Sequence, residues 1–92
     1  MVQPITIYNP RVLKCESVAG QNEAVDPTIP VTGMLTTDGL IGVCILSAAL
    51  VMGQWRDIND FSVSALAGNL TVVAHAADYT GSFYLIIWQD LT

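Results

Sequence analysis

Charge is what this sequence has least of. Only 12% of its 92 residues are charged, about half the usual ~25%. Between Pro27 and Gln89 the acidic and basic side chains are Asp38, Arg56, Asp57, Asp60 and Asp78 alone. Three cations, Arg11, Lys14 and Arg56, stand against eight carboxylates, for a formal net charge of -5. Nucleic-acid binding needs several cations to replace phosphate counterions, so three scattered ones exclude that class. An anionic membrane surface is disfavoured for the same reason.

Histidine occurs once, at His75, and cysteine twice, at Cys15 and Cys44, without C-x-x-C spacing. A zinc site would require both cysteines and a carboxylate to converge on His75. The two cysteines read instead as free thiols packed as small apolar groups, and spacing alone decides no disulfide. There is no Gly-x-Ser-x-Gly elbow. Gly39-Leu40-Ile41-Gly42 lacks the lysine and following helix of a phosphate loop. Asp57 and Asp60 flank Asn59 without the glycine and closing glutamate of a calcium loop, and nothing beside them suggests an acid–base pair. They read as a solvated acidic loop. Asn69-Leu70-Thr71 fits a glycosylation pattern but reads as a turn. The sequence therefore nominates no catalytic, cofactor-binding or metal-ligating residue, and the expectation is a non-enzymatic protein without a cofactor.

Long apolar runs are missing too. Leu40 to Met52 is too short for a membrane helix, which needs roughly 20 residues, and reads as a buried strand followed by a turn. The start, Met-Val-Gln-Pro-Ile, has neither the basic end nor the apolar core of a secretory leader. That predicts retention in the cytoplasm until assembly.

What the chain has in plenty is apolar surface, 52% of its residues. At this length one domain is the limit, and such a chain buries only about 60–65% of the surface its unfolded form exposes. The four prolines, Pro4, Pro10, Pro27 and Pro30, all fall in residues 1–30. This predicts an extended N-terminal arm and edge segment over 1–30, with a core over 31–92. Within the first part, residues 11–19 read as an edge strand with Leu13, Cys15 and Ser17 on one face and Lys14 and Glu16 pointing to water.

Beyond Pro30 the spacing is that of strands. Val31 to Thr36 reads as a short strand, Thr37-Asp38-Gly39 as a turn, and Leu40 to Ser47 as a strand covered on both faces. Residues 54–60 read as a polar loop, with Trp55 anchored at the core edge through its ring N–H. Phe61 to Leu66 and Leu70 to Ala76 form an antiparallel hairpin around Ala67-Gly68-Asn69. Asp78-Tyr79-Thr80-Gly81 turns the chain into a last strand, Ser82 to Gln89, with Phe83, Leu85 and Ile87 on one side and Tyr84, Ile86 and Trp88 on the other. A strand apolar on both sides belongs in the middle of a sheet or against a neighbour. The fold expected is all-β, a small antiparallel β-sandwich or barrel with an extended N-terminal arm.

The run VTGMLTTDGLIGVCILS, a tryptophan in the next loop, and GNLTVVAHAADYTGSFYLIIW together resemble the C-terminal parts of small tailed-phage head proteins that decorate or cement capsids, and related β modules of phage fibres. The resemblance spans about two-thirds of the chain. It implies a virion protein on the capsid surface, a homo-oligomer, commonly a trimer, partnered with the major capsid protein and assembled in the host cytoplasm. It carries no active site. The alternatives are a fibre, tail or connector module, and a carbohydrate-binding β module in which Tyr84 or Trp88 is exposed as a stacking platform.

Overall fold

A computed structural model describes residues 13–73 and 77–90. Seven strands follow one another: β1 (Leu13–Ala19), β2 (Thr28–Pro30), β3 (Gly39–Leu46), β4 (Met52–Trp55), β5 (Phe61–Val63), β6 (Asn69–Val72) and β7 (Phe83–Gln89), with one 3₁₀ turn at Ile58–Asp60 before β5. They form a four-stranded sheet in the order β1-β7-β3-β4 and a three-stranded sheet in the order β2-β6-β5. Every pairing between strands is antiparallel. The fold is thus all-β, as expected, and of the sandwich or barrel that the strand spacing allowed, the two sheets make a sandwich.

The doubly apolar strand β7 lies between β1 and β3, where both of its edges are paired. Its inner side chains Tyr84, Ile86 and Trp88 meet Ile29, Phe61, Leu70 and Val72 of the other sheet in one core. Cross-strand partners share a face of a sheet. Val18 of β1 and Val43 of β3 lie opposite Tyr84 and Ile86 and so join the core side. The register between β3 and β7 slips by one residue between Leu40 and Gly42. This bulge leaves Ile41 outside, half-exposed. An uninterrupted apolar strand tolerates the slip because either face accepts its side chains.

Turn chemistry places the connections. Gly68 and Gly81 adopt φ of +83° and +89°, a region open to glycine and strained for residues with a Cβ. The Asp78 carboxylate accepts from the backbone N–H and hydroxyl of Thr80 at 3.0 and 2.6 Å, which holds its pKa below the ordinary value.

Several expectations need correction. The edge segment expected within residues 1–30 is present, with β1 and β2 each at the edge of a sheet, but it belongs to the body of the sandwich: β1 pairs along its length with β7, and Ile29 of β2 is fully buried. Composition marks a boundary at residue 30 because Pro30 suits an edge strand, where one N–H side is unpaired. Val31 to Thr36 is a turn region and not a strand, held by Met34 N–H to Val31 C=O and by Leu35 N–H to the Asp38 carboxylate. The faces of β1 are also reversed. Leu13, Cys15 and Ser17 lie with Gln89, Ile87 and Leu85 on the outer face, while Lys14 and Glu16 lie opposite Trp88 and Ile86. Lys14 stays exposed by reaching water around the edge from the core side, whereas Glu16 is half-buried, with its Oε2 out of contact with water. The expected arm over residues 1–12 lies outside the described residues.

Candidate functional site

Two features stand apart from ordinary packing: a buried ionic cluster at one end of the sandwich, and the outer face of the four-stranded sheet.

The cluster is assembled from four separate segments. Glu23, in the loop between β1 and β2, has a fully buried carboxylate. Arg56, directly after β4, reaches it with two hydrogen bonds, Nη1 to Oε2 at 2.9 Å and Nη2 to Oε1 at 3.3 Å. Asp60, closing the 3₁₀ turn, accepts from Arg56 Nη2 at 3.3 Å. The Tyr84 hydroxyl of β7 donates to Glu23 Oε2 at 2.8 Å, and the Ala77 N–H donates to Oε1 at 3.3 Å. The guanidinium also lies over the rings of Phe61 and Tyr79, 4.9 and 5.2 Å from their centroids, within cation–π range.

These contacts fix protonation. Burial alone would lower the Arg56 pKa, but the hydrogen bonds and charges of Glu23 and Asp60 outweigh it and hold the pKa above the ordinary value. Burial, then the hydrogen bond to Glu23, raises the Tyr84 phenol well above its usual range. Each Glu23 oxygen already accepts two hydrogen bonds. A carboxylate so occupied is a fixed anchor, with little lone-pair capacity left for chemistry. The cluster joins the end of β4, the 3₁₀ turn, β7 and the β1–β2 loop. Beside it lies an open cavity of about 300 Å³, lined by Gln54, Trp55, Asp57 and Tyr79 together with Arg56 and Asp60.

Sequence reasoning placed these residues differently. Asp60 is buried in an ion pair and is not part of a solvated loop. Its neighbour Asp57 is exposed and caps the 3₁₀ turn by accepting from Asn59 N–H at 2.9 Å. The signal available was the pairing of Arg56 and Asp60 four residues apart. Nothing local pointed to Glu23, 33 positions from Arg56. Among the described residues no group of three or more His, Cys, Asp and Glu is placed to hold a metal ion. His75 lies outside the described residues.

The outer face of the larger sheet is apolar. Strand β7 presents Phe83, Leu85 and Ile87, and β3 presents Cys44 and Leu46, which are buried but not in the central core. The edges are open: Leu13 on β1 is 64% exposed, Met52 and Trp55 on β4 56% and 49%. Trp55 is therefore not anchored in the core. Its ring lies over Gly42, where an added Cβ would come within 3.0 Å of it. The cysteines divide: Cys44 is buried and Cys15 exposed, both as free thiols. Tyr84 and Trp88 are sealed in the core at 0% and 3% exposure, so the exposed stacking platform expected of a carbohydrate-binding module is not formed by them. The sandwich itself seals this side of β7, Ile86 included. It is the opposite side of β7 that lacks full cover.

The chain matches no family model, no curated protein and no solved structure. Among the described residues no helix is long and apolar enough to cross a membrane.

Proposed function

We propose that this chain is a virion structural protein that decorates the outer surface of a tailed-phage capsid and ties major capsid subunits together through multivalent contacts. The observation that carries the reading is the amount of apolar side chain left open on a charge-poor sandwich. Besides the sheet face, the turn between β3 and β4 holds Leu50 and Val51 out in solvent. Single exposed apolar residues are ordinary. Contiguous ones mark an interaction surface.

The ionic cluster supports the same reading. It clamps the C-terminal end of β4, opposite the Leu50–Val51 turn, together with the 3₁₀ turn to the body of the sandwich, and so fixes the strand that carries the exposed Met52 and Trp55. A contact surface held rigid loses less entropy on binding. Weak contacts repeated around a lattice add through effective concentration, so each need not be strong. We assign Leu50 and Val51 to contact with the shell.

Electron microscopy of particles made with and without the chain tests the proposal. Loss of density from the outer shell, with shells that disrupt at lower temperature, is the expected result. Loss of density from the tail or fibres would favour a fibre, tail or connector module. A protein with no affinity for shells would overturn the capsid reading.

A further inference from the structure

We propose that the open edge of β4 takes an added strand from a second copy of this chain: residues 5–11 of one copy lie parallel to β4 of the next, with Arg11 at the acidic cavity beside the ionic cluster. No capsid shell takes part, so this pairing stands or falls apart from the capsid reading.

Strand β4 ends its sheet, beyond β3, and all four of its residues are exposed. Arg56, directly after it, donates its N–H inward to Val43 C=O at 2.8 Å. Neighbouring residues of a strand turn their N–H and C=O to opposite edges, so those of Trp55 face the open side. Such an edge is a template for another strand. Two cavities adjoin along it and share Gln54 and Tyr79 as walls. The one at the Met52 end has a volume of about 370 Å³ and is lined by Ile45, Leu46, Val51 and Met52. The one at the Arg56 end is the open cavity beside the cluster. There Asp57 and Asp60, with Glu23 behind them, set three negative charges against the single guanidinium of Arg56. Asp78, between the lining residues Ala77 and Tyr79, has the same sign.

The occupant comes from the sequence before Leu13. Ile5, Thr6, Ile7 and Tyr8 are strand-favouring residues, Pro4 and Pro10 lie on either side of the run ending at Asn9, and Arg11 is the one charged side chain among residues 1–12. Parity sets the register. Pro4 and Pro10 lack an N–H and face away from a pairing edge. Ile5, Ile7, Asn9 and Arg11 then offer their N–H and C=O to β4. In the parallel direction Asn9 stands level with Gln54, Pro10 with Trp55 and Arg11 with Arg56. Trp55 N–H donates to Asn9 C=O, and Arg11 N–H donates to Trp55 C=O. Level residues share a face of the sheet, so Ile7 and Arg11, about 13 Å apart along the strand, fall at the apolar and the acidic cavity. Run antiparallel, the same residues would share the outer face of Trp55, away from both. A copy cannot serve its own edge in this way. A strand beside β4 stands four strand spacings, about 19 Å, from β1, and the four residues from Asn9 to Leu13 span at most about 14 Å. The donor is therefore another copy, in a reciprocal pair or a closed ring.

The test uses the full chain with its exposed thiol removed by Cys15→Ser. Copies carrying Asn9→Cys are mixed with copies carrying Gln54→Cys and oxidised, and mass spectrometry reads the cross-linked fraction. Sedimentation velocity gives the size before oxidation, and a far-ultraviolet spectrum like the parent's shows that each variant has folded. The expected result is a multimer in which the two kinds of copy cross-link to each other. Arg11→Glu is expected to lower the cross-linked yield about tenfold. Asp57→Asn, which keeps an acceptor to cap the 3₁₀ turn, is expected to lower it about threefold. A monomer at every concentration would overturn the proposal. So would a multimer that forms no such cross-link, or one whose yield is indifferent to Arg11→Glu. A disulfide closing within single chains that carry both Asn9→Cys and Gln54→Cys would overturn it as well, since the segment would then serve its own edge. Shell binding by chains that do not cross-link would sink this pairing and leave the capsid reading standing. Cross-linked multimers that ignore phage shells would do the reverse.

Discussion

Arg56 shows how much one side chain can organise. Its guanidinium answers the buried Glu23 carboxylate, meets Asp60 and covers two aromatic rings. Removing one partner of a buried ion pair strands the other without water. Arg56→Met is therefore expected to cost about 3–5 kcal/mol, measured by urea unfolding. Combined with Glu23→Leu, the loss is expected to fall short of the sum by about 1–3 kcal/mol. Additive losses would mean the pair is not coupled. Tyr84 adds a pH dependence. Its folded pKa is raised above the ordinary 10.0 by burial and by Glu23, so the stability it contributes is complete below pH 10. Above that the unfolded chain releases the proton more readily than the folded one, and stability falls as pH rises. Unfolding midpoints from pH 8 to pH 12 are expected to decline less steeply in Tyr84→Phe than in the parent.

At the scale of elements, the β3–β4 turn is the place where local preference is overridden. Leu50 has φ of +62° although it bears a branched side chain, a conformation that costs roughly 1–2 kcal/mol for an L-residue. The turn is held by Leu50 N–H to Ser47 C=O at 2.8 Å, Ser47 N–H to Val51 C=O at 3.0 Å and Val51 N–H to the Ser47 hydroxyl at 3.2 Å. Leu50→Gly is expected to raise stability by about 0.5–1 kcal/mol, the relief of strain being partly offset by the freer unfolded chain. If Leu50 contacts the shell as proposed, the same variant binds shells less well; thermal unfolding and shell pull-down separate the two effects. Alternation made β7 readable as a strand, and the hairpin of β5 and β6 was equally legible from its glycine turn. Strand β4 was not. Met-Gly-Gln-Trp has no period-two pattern, and it is a strand only because β3 offers it an open edge.

For the whole molecule, the decisive contacts join residues far apart in sequence. The expected division at residue 30 cuts through both sheets, taking β1 from one, β2 from the other, and Glu23 from the cluster. A fragment of residues 31–92 is accordingly expected to remain unfolded, without the far-ultraviolet strand signal that the full chain gives. A fragment that folds cooperatively would show that the first 30 residues are dispensable.

The sequence by itself determined the class of fold, since period-two alternation, glycine turns and scarce charge admit little besides a small antiparallel sandwich. It also narrowed the last strand to the middle of a sheet or the face of a neighbour, because a segment apolar on both sides cannot stand at an open edge; the fold chose the first. Only the tertiary structure decided which face of that strand the second sheet would seal. Burial of Tyr84 and Trp88 and exposure of Cys15 follow from the register of β1 and β7 and from which sheet lies opposite. Glu23, Arg56 and Asp60 became a cluster for the same reason: their encounter depends on the path of the chain between them, and composition carries no record of that path.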